Sequence, residues 1–105
     1  MKTTPFFGFE IIGLGRKDCD VTDSSQLRNV IKKFKPDVLI NTAAYNLVTT
    51  AETDTKSAMA VNCEAVMNMA KICNKNAIKF VTFSTDYVFD GQKGRPYEED
   101  DAPNP

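Results

Sequence analysis

The sequence contains no histidine and no tryptophan, and its three cysteines form no C-x-x-C pair. Zinc sites in proteins are built mainly from histidine and closely spaced cysteine ligands, so no metal site is expected. Cys19, Cys63 and Cys73 are also odd in number, which favours reduced thiols over a disulfide framework. These absences indicate a cytoplasmic protein without a metal centre.

Strong charge of either sign is missing as well, since 13 basic residues stand against 14 acidic ones. This balance gives no electrostatic reason to expect a nucleic acid or an anionic membrane as partner. The longest N-terminal apolar stretch, residues 6–14, is interrupted by glycine and glutamate and is too short to span a bilayer. It also lacks the layout of a secretory signal. The acidic cluster at residues 98–101 lies beside prolines and is typical of a solvated loop.

The chain has 105 residues, enough for one small domain, and three apolar runs in it indicate strands. Residues 9–14 form the first run, 37–41 the second and 78–83 the third. The second is continuously apolar, as in strands that are covered on both faces. Loop-forming glycines and prolines follow the third run.

Two amphipathic segments separate these strands. The first predicted helix follows the capping residues at 20–23 and ends near Pro36, with one apolar face formed by Leu27, Val30, Ile31 and Phe34. The second is longer and ends near residues 74–76, with a face formed by Ala58, Val61, Ala65, Met69 and Ile72. The order strand, helix, strand, helix, strand predicts an α/β fold with two crossover helices on a parallel sheet.

The third strand ends in the octapeptide Ser-Thr-Asp-Tyr-Val-Phe-Asp-Gly at residues 84–91. In open α/β sheets, ligands bind at the carboxyl ends of the strands. An apolar strand that stops in hydroxyls and a carboxylate therefore delivers polar chemistry to that edge. Taken alone, Ser84 and Thr85 are more often strand-end hydroxyls that close local hydrogen bonds.

With these residues in place, the sequence resembles the dTDP-4-dehydrorhamnose reductase family of the extended short-chain dehydrogenase/reductases. Four blocks carry the resemblance, and their order and spacing match across roughly residues 9–105: residues 20–23, residues 36–45, Val61-Asn62, and residues 84–91 with the following 97–100. The resemblance implies one partial Rossmann-type domain over residues 1–105, with a doubly wound core at 9–84 and an active-site loop region at 85–105.

The resemblance also implies a nicotinamide cofactor and a nucleotide-sugar substrate. By motif position, Asp20 and Val21 would lie by the adenine, and Thr42, Ala43 and Ala44 would line the cofactor. Tight packing between strand and loop is the alternative for the two alanines. Asn62 matches an asparagine that orients backbone or cofactor, with an ordinary helical amide as the alternative.

The turn at residues 15–17 bears on the choice of coenzyme. Relatives commonly carry an acid near position 15 that contacts the adenosine ribose, and here this residue is Gly15. Arg16 and Lys17 follow it, and their positive charge favours a coenzyme with a 2′-phosphate, which is NADPH. NADH is the alternative coenzyme. A solvated Arg-Lys turn is the alternative for this pair.

Thr85 matches the catalytic hydroxyl of the family, which would hydrogen-bond the substrate carbonyl. Asp86 and Tyr87 would contact the substrate or frame the site. The family pattern Val-Asp-x-Ala-Glu falls on Val48 to Glu52, where Thr49 replaces the aspartate. This substitution leaves the substrate, and activity itself, open.

Two family elements have no counterpart in the sequence. No strand and glycine-rich turn for the pyrophosphate precede residue 9, and the only candidate, residues 13–15, has no third glycine. The family's proton-donating Tyr-x-x-x-Lys is also missing, because Tyr45, Tyr87 and Tyr97 are followed four places on by Thr49, Gly91 and Asp101. Binding of NADPH no tighter than millimolar is therefore expected.

The doubly wound strand order 3-2-1-4-5-6 would put the absent first strand between the strands at 9–14 and 78–83. Each would then expose an unpaired edge. We therefore expect the isolated chain to be poorly stable. Otherwise the place of the absent first strand is left as a gap, or is taken by a swapped partner or by the N-terminal segment.

The sequence thus predicts a fragment of an NADPH-dependent reductase of a 4-keto sugar nucleotide, which is expected to be inactive by itself because these two elements are absent. A second hypothesis is a non-catalytic binding subunit, similar to the regulatory subunit of methionine adenosyltransferase. A decayed gene product is the third. A homodimer is compatible with all of them.

Overall fold

The computed structural model describes residues 2–46, 50 and 53–105. Its elements in chain order are β1 (Lys2–Phe6), β2 (Phe9–Gly13), α1 (Ser24–Phe34), β3 (Val38–Asn41), α2 (Thr55–Met59), α3 (Ala65–Lys75) and β4 (Lys79–Thr82). A π-helical turn, Ala60–Glu64, joins α2 to α3, and a 3-10 turn, Asp86–Val88, follows β4. The pattern is α/β, as the sequence predicts.

The centre of the fold is a parallel pair of strands with helices on one face. β3 and β4 pair in parallel, with Leu39 beside Phe80 and Asn41 beside Thr82. Leu39 and Phe80 pack against the small buried cluster, which contains Cys19, Leu27, Ala65 and Met69. Strand, crossover and helix thereby form one β-α-β unit whose two strands end at the same edge.

The predicted place of residues 9–14 in the parallel sheet is wrong. β2 forms a separate antiparallel hairpin with β1, in which Phe6 lies opposite Phe9. The two linking residues, Phe7 and Gly8, have φ of 45° and 79°. Positive φ at both central residues is typical of the tight turns whose twist matches paired strands. The N-terminal segment is therefore the element that pairs with this strand.

The strand order inferred from the sequence is also wrong, because β4 lies directly beside β3. The parallel sheet has two strands in the described part of the chain, where three were expected. Its outer face carries Val38, Ile40 and Val81, which are 43%, 60% and 41% exposed, with the exposed Lys79 beside Val38. This sheet consequently presents an apolar surface to solvent, which we call the bare face.

The second predicted helix is interrupted. A π-helical turn at 60–64 precedes α3, whose buried positions are Ala65, Met69 and Cys73. Val61 and Ile72 from the predicted face are half-buried. The apolar spacing thus located both the helix and most of the face that packs, to which Cys73 is added.

The start of α1 gives a first testable prediction. The Asp23 carboxylate accepts hydrogen bonds from the backbone N–H groups of Ser25 and Gln26. These bonds, that of Gln26 above all, hold the pKa of Asp23 below its usual value. We expect Asp23→Ala to lower the thermal unfolding midpoint, because the helix loses its cap.

Because the pKa is depressed in the folded state, this stabilisation is present at neutral pH and is lost as the pH falls and Asp23 becomes protonated. The difference between wild type and Asp23→Ala should therefore vanish in acid when circular dichroism is followed against temperature. Asp37→Ala, at an exposed aspartate just before β3, is the control. A difference independent of pH contradicts this account of the cap.

Candidate functional site

The carboxyl ends of β3 and β4 are joined by a buried amide. Asn41 is 6% exposed, and its Nδ2 donates to Thr82 Oγ1 at 3.2 Å. Its Oδ1 accepts from the backbone N–H of Ala43 at 3.0 Å. One side chain therefore fixes the spacing of the two strand ends and the first bend of the loop that follows β3. Asn41 was not among the site residues predicted from the sequence.

A second amide holds the far side of that loop. Asn62 Oδ1 accepts from the backbone N–H of Tyr45 at 2.8 Å, and its Nδ2 donates to the Tyr45 carbonyl at 3.2 Å. Asn62 lies in the π-helical turn, a local widening of the helix that is frequent at functional sites. Thr42, Ala43 and Ala44 are exposed between the two anchors. The loop is thus restrained at both ends, with small side chains outermost.

Thr85, Asp86 and Tyr87 follow β4 at the same edge, and all three are exposed. Thr85 has extended backbone, and its Oγ1 accepts from the Tyr87 backbone N–H at 3.2 Å. The same hydroxyl donates its proton to Asp86 Oδ1 at 3.4 Å. The Thr85 hydroxyl therefore caps a single 3-10 turn and remains open to solvent. A ligand carbonyl would take the place of the Asp86 carboxylate as the acceptor of the single hydroxyl proton of Thr85.

The turn after β2 contributes Arg16, Asp20 and Val21. The Asp20 carboxylate accepts from Thr22 through its hydroxyl at 2.7 Å and its backbone N–H at 2.9 Å. These bonds lower the pKa of Asp20, and the nearby charge of Arg16 contributes a little. Val21 packs against the buried cluster. Among the described residues, no hydrogen bond joins this turn to residues 42–46 or 85–87.

The structure therefore brings part of the expected site together. Residues 42–44 and 85–87 share the carboxyl edge of the parallel pair, and Asn62 restrains the first of these segments. Residues 16, 20 and 21 lie in a neighbouring turn instead. The family pattern at Val48, Thr49 and Glu52 lies outside the described residues.

The loop after the 3-10 turn holds three polar residues that were not among the site residues predicted from the sequence: Asp90, Tyr97 and Asn104. The Tyr97 hydroxyl donates to Asp90 Oδ1 at 3.0 Å, and Asn104 Nδ2 donates to Asp90 Oδ2 at 2.6 Å. The hydrogen bonds to Asp90 lower its pKa, the backbone N–H of Gln92 having the largest effect. The Asp-Gly pair at 90–91 was a local signal, because it is typical of a side-chain-capped turn.

Other site types find no support in the described ranges. No group of three acidic, cysteine or histidine side chains there is arranged to hold a metal ion. No helix within them has the length and apolar character needed to cross a membrane. All three cysteines are free, with Cys19 and Cys73 buried and Cys63 exposed. Burial raises the pKa of the two buried thiols, which keeps them protonated at neutral pH.

The buried amide gives a second testable prediction. Thr82→Val removes the acceptor of Asn41 Nδ2 with little change in shape, so a buried donor loses its partner. We expect the free energy of unfolding to fall by about 1–3 kcal/mol in urea denaturation. Thr42→Val, at the exposed threonine next to Asn41, should change it by less than about 0.5 kcal/mol. Equal losses in the two variants would contradict the structural role of this bond.

Known proteins are similar to this chain in sequence and in fold. The RmlD substrate binding domain family matches residues 4–105. A dTDP-4-dehydrorhamnose reductase of Streptomyces griseus is 39% identical over 98 residues, which cover 93% of this chain and 32% of the relative. Methionine adenosyltransferase 2 subunit beta of Danio rerio is 39% identical over 87 residues, covering 83% of this chain and 26% of that protein.

A solved structure of dTDP-4-dehydrorhamnose reductase from Bacillus anthracis, in complex with NADP, superimposes with a TM-score of 0.83 at 34% identity. The match covers 88% of this chain and 33% of that one. The chain thus spans about a third of the length of the relatives it matches, and the prediction of a partial Rossmann-type α/β domain is confirmed. On the sequence and fold evidence together, the chain belongs to the RmlD substrate binding domain family.

Proposed function

We propose that the chain is part of an NADPH-dependent reductase that acts on the ketone of a 4-keto sugar nucleotide, in the manner of a dTDP-4-dehydrorhamnose reductase. The observation that carries the proposal is the exposed Thr85 hydroxyl at the carboxyl edge of β4, next to the restrained loop at residues 42–46. At this edge, a carbonyl substrate needs a hydrogen-bond donor, and a flat coenzyme ring needs small residues that let it approach the backbone.

In this proposal, Thr85 donates its hydroxyl proton in a hydrogen bond to the substrate carbonyl oxygen. That bond holds the carbonyl in place and stabilises the negative charge that develops on oxygen during reduction. Bound NADPH supplies the hydride. Asp86 and Tyr87 are exposed beside Thr85 and contact the nucleotide sugar. The proton that completes the alcohol comes from a group outside this chain's described site.

The described residues fit one part of such a coenzyme. Ala43 and Ala44 are exposed and small, so a ring can approach the backbone of a loop that Asn41 and Asn62 hold in place. Asn62 thereby acts on the coenzyme through the loop. In the neighbouring turn, Asp20 and Val21 flank the adenine and Arg16 takes the 2′-phosphate.

The role of Arg16 gives a third testable prediction, in the reductase that contains this chain. Arg16→Ala should weaken NADPH binding about tenfold, the equivalent of one charge-assisted hydrogen bond, and leave NADH binding nearly unchanged. Coenzyme fluorescence titration measures both affinities. Arg95→Ala, at an exposed arginine in the loop after β4, is the control. Equal weakening for both coenzymes would contradict phosphate recognition by Arg16.

The coding DNA on both sides of this reading frame tests the proposal as a whole. We expect an upstream segment that encodes a strand with a glycine-rich turn and a downstream segment that encodes Tyr-x-x-x-Lys. The polypeptide so defined should oxidise NADPH when it is given a dTDP-4-keto-6-deoxy sugar, and Thr85→Val should slow this reaction. Flanks closed by authentic start and stop codons would contradict a reductase.

A binding subunit is the second candidate, because the similarity to the methionine adenosyltransferase subunit extends over most of this chain. In that case the chain would act by contact with an enzyme partner. Co-purification with a methionine adenosyltransferase catalytic subunit, together with no NADPH oxidation by the longer polypeptide, would favour it. We place either form in the cytoplasm, where the three free thiols stay reduced.

A further inference from the structure

The 3-10 turn that presents Thr85 is too short to hold its own geometry. It consists of three residues, Asp86–Val88, and is exposed on most of its surface. Its closing backbone hydrogen bonds run from Val88 to Thr85 at 3.4 Å and from Phe89 to Asp86 at 3.1 Å. Single turns of this type have poor hydrogen-bond geometry and need support from their surroundings. The segment just after the turn shows where that support comes from.

Asp90 is the centre of this support. Its Oδ1 accepts from the backbone N–H of Gln92 at 2.9 Å and from the Tyr97 hydroxyl at 3.0 Å. Its Oδ2 accepts from Asn104 Nδ2 at 2.6 Å. One carboxylate thus gathers three donors that lie two, seven and fourteen residues further along the chain. Hydrogen bonds to an ionised acceptor are stronger than those between neutral groups.

Two further contacts join the same segments. The backbone N–H of Asn104 donates to the Val88 carbonyl at 2.8 Å. The Phe89 and Tyr97 rings stack with their centroids 4.1 Å apart and their planes within 8°. Residues 88–90 are therefore held by Tyr97 on one side and by Asn104 on the other. These are the residues that directly continue the Thr85–Val88 turn.

We propose that Asp90 is a positioning residue, which fixes the Thr85 turn by tying residues 88–90 to Tyr97 and Asn104. It touches no reacting atom and acts through the backbone it restrains. The importance of this for catalysis rests on the proposed function, whereas the mechanical link between Asp90 and Thr85 does not.

The chemistry of the Asp90–Asn104 pair allows a sharp test. Asp90→Asn removes the negative charge to which Gln92, Tyr97 and Asn104 donate, so three charge-assisted hydrogen bonds become neutral ones and the Asn104 amide has to turn over to stay paired. Adding Asn104→Asp restores an amide facing a carboxylate with the two partners exchanged. The amide oxygen introduced at position 90 can then still accept from Gln92 and Tyr97, so the double variant should recover the tie.

The readout is the backbone amide spectrum of residues 85–88 in the 105-residue chain, measured by NMR without any coenzyme. In Asp90→Asn, we expect displaced signals for Thr85, Asp86 and Tyr87 and about tenfold faster exchange of the Phe89 amide, the equivalent of one lost hydrogen bond. The double variant should return these signals toward their wild-type positions. Asp100→Asn, in the same loop, should leave them in place.

The amide signals of Met69 and Cys73 report whether each variant is folded. Tyr97→Phe keeps the ring stack and removes the donor to Asp90 Oδ1 together with the acceptor of the Lys93 backbone N–H. It should give a smaller displacement than Asp90→Asn, and it remains a test if Asp90→Asn unfolds. Signals of Thr85–Tyr87 that stay unchanged in folded Asp90→Asn, or that the exchanged pair fails to restore, would overturn the proposal. If Asp90→Asn displaces the Thr85–Tyr87 signals as expected but the longer polypeptide does not oxidise NADPH, the proposed function is contradicted and the positioning role of Asp90 is not.

Discussion

Replacing Met69 by alanine is expected to remove a large part of the chain's free energy of unfolding. Met69 is 2% exposed and packs in the cluster with Cys19, Leu27 and Ala65. Truncating a buried methionine to alanine costs about 2–5 kcal/mol. A chain of 105 residues has about 5–15 kcal/mol of stability in total, and so few buried side chains place this one at the lower end.

Urea denaturation followed by far-ultraviolet circular dichroism measures this loss. Met67→Ala is the matched control, because Met67 lies on the same helix and is 49% exposed. It should change the free energy of unfolding by less than about 0.5 kcal/mol. A Met69→Ala variant as stable as Met67→Ala would show that the cluster does not hold the fold together.

The bare face predicts the second large effect, which is self-association of the wild-type chain. Ile40 and Val81 lie side by side on that face, 60% and 41% exposed, and Val38 extends it. Contiguous exposed apolar surface of this kind drives association. A net charge of −1 provides little repulsion to oppose it. We expect Ile40→Lys to shift the population strongly toward monomer in sedimentation velocity experiments.

The control for this prediction is Met67→Lys, which places the same charge at another exposed apolar residue away from the sheet. It should leave the association of the chain nearly as in the wild type. A wild-type chain that stays monomeric at the highest soluble concentration would contradict the prediction. Equal dispersal by both lysine variants would show that charge, and not the bare face, controls association.

Local sequence patterns were sufficient where an element is defined by its own residues. The capping aspartate and the apolar spacing located α1, and Asp23 is indeed its N-cap. The pairing of β2 could not be read in this way. Its partner depends on the turn at Phe7-Gly8, and the segment before it contains Pro5, which is unfavourable in central strands but tolerated in a two-stranded hairpin.

The candidate site, like the fold, could be predicted from the sequence only in part. Residues 42–44 and 85–87 follow two strands that end at one edge of the parallel pair, although the strand order inferred from the sequence separated these strands. The roles of these residues remain predictions. Asn41 and Asp90 were missed because their partners are long-range side chains, Thr82 and Asn104, which no local pattern reveals. The family resemblance assigned roles to Arg16 and Asp20 from their place in the sequence. It does not show where their turn lies relative to the carboxyl edge of β3 and β4.

A titration of the isotope-labelled 105-residue chain with NADP⁺ and with dTDP, followed by amide NMR, tests the central claim most directly. That claim is that the carboxyl edge of β3 and β4 is a nucleotide-cofactor and substrate site. We predict weak, millimolar binding, with shifts concentrated at residues 42–46, at Asn62 and at residues 85–87, and with NADP⁺ also at Arg16, Asp20 and Val21. Shifts that fall elsewhere on the chain, or no shifts at any soluble ligand concentration, would contradict it.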